Sequence, residues 1–201
     1  MTGSSVLFRE DAMKVVGFLG SPEKKGSTSK ILRQILNGCA EKGARTKVYN
    51  LNKLKIRGCL GCGHCRKGDL QACRIPDDMQ RLYQAIDEAD AIIIGSPIYQ
   101  WETTPQTKIF IDRLYAYFKG PGLETKIGDG KETILLYTQR ENFADRYKSH
   151  FDQFENSLEI LGFNIREVLV ADTEEGKDVQ EEPMLMKKAK TLGKDLIKSL
   201  R

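Results

Sequence analysis

The chain has 201 residues and a hydrophobic content of 40%, enough for one well-buried core, so a single domain is the expectation. Its 32 Lys and Arg residues nearly balance 28 Asp and Glu residues and are scattered along the sequence, which argues against a nucleic-acid partner. The sequence lacks both the run of about 18 apolar residues that a membrane helix requires and the apolar core of a signal peptide at its start. We therefore expect a soluble, cytoplasmic protein with no membrane partner.

After a polar, aperiodic tail of residues 1–13, short apolar segments alternate with segments of helical periodicity in the domain of residues 14–201. Short apolar runs that end in glycine are typical of parallel strands buried on both faces. Gly43 and Gly162 have the sequence character of helix stops. The predicted strands cover residues 15–20, 46–51, 91–95, 132–138 and 164–171, and the predicted helices run through 31–36, 77–86, 104–118, 144–161 and 183–200.

Two helix starts carry recognisable signals. Asp77 followed by Gln80 resembles a capping box, in which both side chains would satisfy N–H groups of the first turn. Thr104 before Pro105 has the pattern of an N-cap followed by proline at the first helical position.

Five strands alternating with five helices predict a doubly wound parallel α/β sheet. Ligands of such sheets bind at the carboxyl ends of the strands, beside the point where the strand order reverses. We therefore expect the functional residues in the loops after strands one, three and four.

The loop after strand one, residues 20–29, is rich in glycine, hydroxyl and lysine residues and leads directly into a helix. Backbone N–H groups and partial positive charge at a helix N-terminus favour an anion. The loop matches neither G-x-G-x-x-G nor a Walker loop, so a single phosphate monoester fits best. The alternative is that Ser27 and Thr28 only cap the helix.

The loop after strand three, residues 96–105, forms the second wall of the expected cleft. Pro97 restricts its turn, while Tyr99 and Trp101 offer aromatic surface to a planar ligand such as an isoalloxazine ring. The alternative is that these aromatic residues belong to the core or to an interface.

Four of the five cysteines lie in a long loop, residues 52–76, with the spacing C-x2-C-x2-C-x7-C. In a reducing compartment this clustering favours metal or redox chemistry over disulfides. Closely spaced thiolates suit an iron-sulfur cluster, zinc also accepts four thiolates, and an empty or disulfide-bonded loop is a third possibility. His64 inside the loop could ligate or donate a hydrogen bond, and the isolated Cys39 is expected to be buried packing. The predicted metal ligands are Cys59, Cys62, Cys65 and Cys73.

In chain order, the segments 20–22, 26–28, 77–79, 95–99, and 108 with 112–113 resemble the NADPH-dependent FMN reductase superfamily. The likeness extends over nearly the whole chain from Lys14. The cysteine loop makes the chain most similar to the iron-sulfur flavoproteins of that group. The resemblance implies FMN, a possible 4Fe-4S cluster and a flavodoxin-like three-layer sandwich with strand order 2-1-3-4-5.

By the same resemblance, Ser21, Ser27, Thr28 and Ser29 match phosphate-binding positions, and Pro97, Ile98 and Tyr99 match positions that flank the flavin ring. From the same loops and the end of strand four we add Lys24, Gln100, Trp101 and Thr138 as cofactor-binding candidates. The chain departs from the family where Glu23 and Ser27 replace Arg and Asn, and where residues 138–142 replace a glycine-rich turn.

The expected function is that of an FMN-dependent oxidoreductase that passes electrons between FMN and a 4Fe-4S cluster. The alternatives are an NAD(P)H-dependent FMN or quinone-type reductase without a cluster, and a non-enzymatic electron carrier with a zinc-bound or empty cysteine loop. NAD(P)H or a ferredoxin-like protein is the expected donor, and a homo-oligomer (dimer or tetramer) the expected assembly. Because FMN carries the organic chemistry, the sequence nominates no catalytic acid or base.

Overall fold

The computed structural model describes residues 12–67, 73–128, 130–140, 147–173 and 177–200. Most of the predicted tail therefore lies outside the described residues. Within them the strands are β1 (Lys14–Leu19), β2 (Arg45–Asn50), β3 (Ala91–Tyr99), β4 (Glu102–Thr103), β5 (Lys131–Gln139) and β6 (Phe163–Asp172). The α-helices are α1 (Ser27–Glu41), α2 (Met79–Asp87), α3 (Pro105–Arg113), α4 (Lys148–Ile160) and α5 (Pro183–Ser199).

Five strands form a parallel sheet in the order β2-β1-β3-β5-β6. Since β5 and β6 are the fourth and fifth predicted strands, the order 2-1-3-4-5 is confirmed. The order reverses between β1 and β3, which are hydrogen-bonded neighbours from Val15 and Ala91 to Leu19 and Gly95. This is the topological switch point at which doubly wound sheets bind ligands.

Side chains alternate between the two faces of the sheet and build a separate core on each face. On one face Phe18, Ile94 and Tyr137 pack with α2, α3 and α4. On the other face Leu19 and Ile93 pack with α1 and α5. The result is a three-layer sandwich whose central strands are buried on both sides, as the apolar runs of the sequence predicted.

Helices α1 and α5 approach each other closely because a glycine stands on each at the contact. A side-chain carbon added at Gly38 would lie 2.1 Å from the Lys190 carbonyl oxygen, and one at Gly193 would lie 1.9 Å from the Ile35 carbonyl oxygen. Cys39, beside this contact, is fully buried, and burial raises the pKa of its thiol to about 12. Its prediction as a packing residue is confirmed.

Among the described helices, none combines the length and apolar character needed to span a membrane.

The structure corrects several predicted boundaries. Strand β3 extends to Tyr99 and forms a hairpin with β4. The predicted strand ends at residue 95, and residues 96–105 are predicted as a loop. The third helix changes at Leu114 into a 3-10 turn that ends at Tyr117, before the predicted glycine stop. The fourth helix begins at Lys148 in the described residues, and its predicted first residues at 144–146 lie outside them.

Only half of the capping box predicted at Asp77 and Gln80 forms. The Asp77 carboxylate accepts a hydrogen bond from the N–H of Met79, the first residue of α2, at 3.0 Å. The Gln80 amide donates instead to the carbonyl oxygens of Cys73 and Ile75. The predicted N-cap at Thr104 is confirmed, because its hydroxyl accepts a hydrogen bond from the Thr107 N–H and Pro105 follows it.

We expect Gly193→Ala to lower the free energy of unfolding by about 1–3 kcal/mol, the usual cost of overpacking a tight core. Alanine is the better helix former by about 1 kcal/mol, so a purely local effect would have the opposite sign. Urea denaturation measures the difference. Gly58→Ala is the control, since a side-chain carbon there meets no atom within 4 Å, and equal stability of the two variants would contradict the proposed helix contact.

Candidate functional site

A cleft of about 800 Å³ opens at the carboxyl ends of β1, β3, β5 and β6. This volume lies within the range of small-molecule sites, about 300–1,000 Å³. Hydroxyl, amide and charged side chains line the cleft together with Pro97 and Ile98. The lining residues are Ser21, Glu23, Lys25, Gly26, Ser27, Thr28, Lys30, Pro97, Ile98, Tyr99, Gln100, Thr138, Gln139, Arg140, Thr173, Lys177 and Asp178.

One wall of this cleft is the N-terminus of α1. The N-cap is Gly26, and no side chain caps the helix there. The alternative reading of Ser27 and Thr28 as helix caps is therefore wrong. The first turn of a helix has N–H groups without intrahelical partners, and here that turn borders the cleft, so it can donate to an anion.

Buried hydroxyl groups join this wall to the opposite one. The Thr104 hydroxyl donates to the Gly20 carbonyl oxygen at 2.9 Å and lies 2.8 Å from the Thr107 hydroxyl. The Thr104 N–H donates to the Ser96 hydroxyl at 3.0 Å. A side-chain carbon at Gly20 would lie 1.8 Å from the Thr107 hydroxyl oxygen. The loop after β1 can approach Thr104 and Thr107 this closely only because residue 20 is glycine.

The opposite wall is the β3–β4 hairpin, which turns through two residues with left-handed backbone. Gln100 has φ of 46° and Trp101 has φ of 71°, between the paired residues Tyr99 and Glu102. A two-residue turn with both φ values positive usually contains glycine or asparagine, and other side chains cost about 1–2 kcal/mol each in this conformation. The strained turn leaves Tyr99 48% and Trp101 56% exposed.

The end of β5 closes the floor between the two walls. Pro97 pairs with Thr138 across the sheet, and the Thr138 and Thr28 hydroxyl oxygens lie 2.7 Å apart in a buried contact. Two loops that are 110 residues apart in sequence therefore meet at one pair of hydroxyl groups.

The structure brings most of the predicted cofactor-binding residues together in this cleft. The lining includes Ser21, Ser27, Thr28, Pro97, Ile98, Tyr99, Gln100 and Thr138. Three others lie elsewhere. Lys24 lines a different cleft, Ser29 is fully buried beside Arg33, and Trp101 packs against Tyr147 with ring centroids 5.5 Å apart.

Charged residues of this cleft lie outside the set predicted from the sequence. Lys30 forms an ion pair of 2.5 Å with Asp178, which follows β6, and Lys25, Arg140 and Lys177 also line the cleft. With Glu23 as the remaining carboxylate, four cations face two anions, which favours an anionic ligand. The fold class could have indicated Lys177 and Asp178, because all parallel strands end at the same edge of the sheet and the segment after β6 therefore begins beside the cleft.

The cysteine loop lies over the segment that follows α3. Arg66 donates hydrogen bonds to the carbonyl oxygens of Gly120 and Gly122, and its guanidinium lies 5.2 Å from the centre of the Tyr115 ring. Lys126 donates to the Cys65 carbonyl oxygen at 3.2 Å. Several cationic contacts therefore fix the middle of the loop.

A buried ion pair fixes the two ends of the same loop. Arg113 donates to the Asp77 carboxylate at 2.7 and 3.2 Å and to the Arg57 carbonyl oxygen at 2.8 Å. The Arg57 N–H donates to the same carboxylate at 2.9 Å. Burial would raise the pKa of Asp77, but these hydrogen bonds outweigh it and hold the pKa below its ordinary value.

The thiols themselves are only partly brought together. Cys59 and Cys62 are exposed, whereas Cys65 and Cys73 are half-buried. Burial, and next to it the neighbouring Cys73, raise the pKa of the Cys65 thiol, and Cys59 contributes in the same direction. Within the described ranges, which omit residues 68–72, no three His, Cys, Asp or Glu side chains form a group that could hold a metal ion. Four thiols nevertheless supply the donor chemistry of a thiolate-bound metal.

Among the described residues, no cysteine lines the cleft at the switch point. Cys59 lines a separate, mainly apolar groove of about 780 Å³ with Glu102, Tyr115, Leu123 and His150. The β3–β4 hairpin stands between the two spaces, since Tyr99 lines one and Glu102 lines the other. The hairpin is thus the shared wall of both sites.

The parallel sheet, its strand order and a polar cleft at the switch point define a flavodoxin-like α/β protein. Residues 13–128 match the family model described as NADPH-dependent FMN reductase. Since this match covers more than half of the chain, the protein belongs to the NADPH-dependent FMN reductase family.

Curated relatives agree with this assignment. An iron-sulfur flavoprotein of Archaeoglobus fulgidus is 41% identical over 126 residues, which are 62% of this chain and 54% of that protein. One of Methanocaldococcus jannaschii is 39% identical over 142 residues, which are 65% of this chain and 71% of the relative. The chain spans only 54% of the length of the Archaeoglobus protein and 59% of the length of a second iron-sulfur flavoprotein of Methanocaldococcus jannaschii.

The fold likeness extends over almost the whole chain. An NAD(P)H:quinone oxidoreductase from Methanothermobacter marburgensis superposes with a TM-score of 0.69 at 17% identity, covering 92% of this chain and 97% of the other. A flavodoxin from the domain Archaea superposes with a TM-score of 0.57 at 13% identity, covering 94% of this chain and 99% of the other.

We expect Asp77→Asn to lower the free energy of unfolding at pH 7 by about 3–5 kcal/mol, because it leaves a buried Arg113 without its counter-ion. The folded pKa of Asp77 is depressed. Its contribution is therefore complete above the unfolded value of about 3.9 and is lost as the pH falls through the lower, folded value. Denaturation at pH 7 and at several pH values below 4 measures both effects.

Asp112→Asn is the matched control, since Asp112 pairs with Lys108 on the surface of α3. It should cost less than about 1 kcal/mol. The buried pair would have no special role if the two variants were equally stable, or if Asp77→Asn kept the full acid dependence of the wild type.

Proposed function

We propose that the protein is an FMN-dependent oxidoreductase and that FMN binds in the cleft at the switch point. The observation that carries the proposal is the convergence of three loops on one polar cleft, joined by the Thr28–Thr138 hydroxyl contact. The membership in the NADPH-dependent FMN reductase family supports the same cofactor.

The residues of the cleft fit the chemistry of FMN. The uncapped first turn of α1, with Ser21, Ser27 and Thr28, suits the terminal phosphate, because a helix N-terminus offers N–H groups and positive potential. The excess of cations in the lining suits the same dianion. Pro97, Ile98 and Tyr99 supply a rigid and partly aromatic wall for the planar ring.

When bound, FMN supplies the transfer of hydride or electrons. The protein binds the phosphate at α1, and it orients the ring by the restricted backbone at Pro97 and the strained turn after Tyr99. The exposed hairpin leaves one side of the cleft open to a redox partner. We propose NAD(P)H or a ferredoxin-like protein as the electron donor and a homo-oligomer as the assembly.

FMN binding can be measured by titrating apoprotein into FMN and following the loss of flavin fluorescence. We expect Thr28→Val to weaken binding at least about tenfold, corresponding to about 1.4 kcal/mol, because it removes a hydroxyl at the meeting point of two loops. Thr191→Val, on the exposed face of α5, should bind FMN as the wild type does. The proposal fails if the folded wild-type protein does not bind FMN.

We further propose that Cys59, Cys62, Cys65 and Cys73 hold a 4Fe-4S cluster. Support comes from the run of four thiols, from the contribution of Cys73 and Cys59 to the raised pKa of Cys65 and from relatives named iron-sulfur flavoprotein. Arg66 and Lys126 anchor the middle of the loop, and Arg113 anchors its ends. These residues would hold the thiols in place, and the cluster would supply one-electron transfer.

Anaerobic reconstitution with iron and sulfide, followed by absorbance and quantification of iron, sulfide and zinc, tests the cluster. We expect equal amounts of iron and acid-labile sulfide in the wild type. Cys62→Ser and Cys65→Ser should each lose most of both, because a thiolate ligand is removed. Cys39→Ser is the control, since Cys39 lies far from the loop in the core between α1 and α5. Zinc without sulfide would instead support the alternative of a structural zinc site.

A further inference from the structure

A third cleft, of about 1020 Å³, runs along the β2 edge of the described sheet and shares no lining residue with the other two clefts. Five consecutive residues of β2, Thr46 to Asn50, form its base, and α1 and α2 supply its two sides. We call this space the β2 groove. Its lining residues are Lys24, Arg33, Leu36, Asn37, Thr46, Lys47, Val48, Tyr49, Asn50, Lys53, Leu54, Arg81, Gln84, Ala85 and Glu88.

The shape of the β2 groove is that of a missing strand. In the described sheet β2 pairs with β1 on one side and ends the strand order on the other. An edge strand presents a row of N–H and C=O groups that can pair with an added strand. Leu36 from α1 and Ala85 from α2 lie on either side of this edge but are themselves buried, so mainly polar and charged side chains of the two helices border the position of such a strand.

The charge of the β2 groove selects the partner. Lys24, Arg33, Lys47, Lys53 and Arg81 line it, against Glu88 as the one carboxylate among the lining residues. Glu88 is already paired with Lys14 at 3.3 Å. The Lys24 ammonium lies close enough to lower the pKa of Lys53. A groove with this excess of cations attracts acidic ligands.

We propose that the β2 groove binds an extended acidic segment of a partner protein, which adds to the sheet as a strand beside β2. Main-chain hydrogen bonds to the edge would supply affinity, and carboxylates facing Lys47 and Lys53 would supply specificity. A second copy of this chain is a poor occupant, because pairing of two β2 edges brings the cations of both copies together. A small anion would leave most of the five-residue edge uncovered.

The proposal is independent of the cofactors, so it can be tested with or without FMN. The probe is a fluorescent synthetic peptide of alternating valine and glutamate, and anisotropy measures its binding at low salt. We expect binding by the wild type and at least about tenfold weaker binding by Lys47→Glu/Lys53→Glu. Lys187→Glu/Lys198→Glu on α5 is the matched charge control and should bind the peptide within about threefold of the wild type.

Two further measurements separate strand addition from general attraction between opposite charges. A peptide of the same charge with proline in place of valine lacks the N–H of every second residue and is held away from the strand conformation by the fixed φ of proline, so it should bind at least about tenfold more weakly. Hydrogen exchange of the backbone amides at residues 46–50 should slow on binding of the valine peptide. Circular dichroism establishes whether the variants are folded. If Lys47→Glu/Lys53→Glu does not fold, Lys47→Gln/Lys53→Gln takes its place.

Several results would overturn the proposal. They are equal binding of the proline peptide, no slowing of exchange at residues 46–50, and equal peptide binding by the β2 and α5 charge variants. Binding of inorganic tripolyphosphate without binding of the valine peptide would assign the β2 groove to a small anion. A wild-type dimer that dissociates in Lys47→Glu/Lys53→Glu, without peptide binding by the wild type, would assign it to a second copy.

Discussion

The buried ion pair between Arg113 and Asp77 holds the cysteine loop to the rest of the protein. It combines a two-pronged contact between side chains with a hydrogen bond from Arg113 to the Arg57 carbonyl oxygen. Residue 57 precedes the first cysteine of the loop and residue 77 follows the last, so a single guanidinium closes a loop of about twenty residues at its base. Closing a loop of this length in the native state costs chain entropy, and a desolvated charge pair with further hydrogen bonds can offset that cost.

The helix that carries Arg113 also organises the other site. Helix α3 has nine residues, which span about 13 Å. Its N-cap Thr104 bonds to the phosphate loop at Gly20, and its last residue, Arg113, bonds to the base of the cysteine loop. Both proposed cofactor sites therefore take their positions from the two ends of one rigid element. The β3–β4 hairpin, which enters α3, forms a wall of each.

The features that could be predicted from sequence depend on local pattern. Apolar runs such as Ile92 to Ile94 identified the parallel strands, and Thr104–Pro105 identified a helix start, because burial and capping leave a direct trace in residue type. The loops of the cleft followed from the fold class, since parallel strands share one carboxyl edge.

The features that could not be predicted depend on distant partners. The Asp77 carboxylate accepts an N–H of the first turn of α2, as the sequence indicates, but its ion pair with Arg113, 36 positions away, left no trace in the local pattern. The turn at Gln100 and Trp101 contains neither glycine nor asparagine, so its left-handed backbone gave no signal. Lys24 belongs to the predicted phosphate loop by sequence, yet it lines the groove beside β2. The ion pair of Asp178 with Lys30 could not be predicted, because it depends on the path of the chain after β6.

The position of β5 inside the sheet, between β3 and β6, has a consequence for how the protein folds. The segment that matches the family model, residues 13–128, ends before β5, which pairs with β3 from Ala91 to Pro97. A fragment of those residues would present β3 as a long apolar edge, and such edges promote aggregation. It would also lack α5, whose Gly193 packs against α1. Autonomous folding thus requires the later strands, and the region of family likeness is one part of a single cooperative unit rather than a separable module.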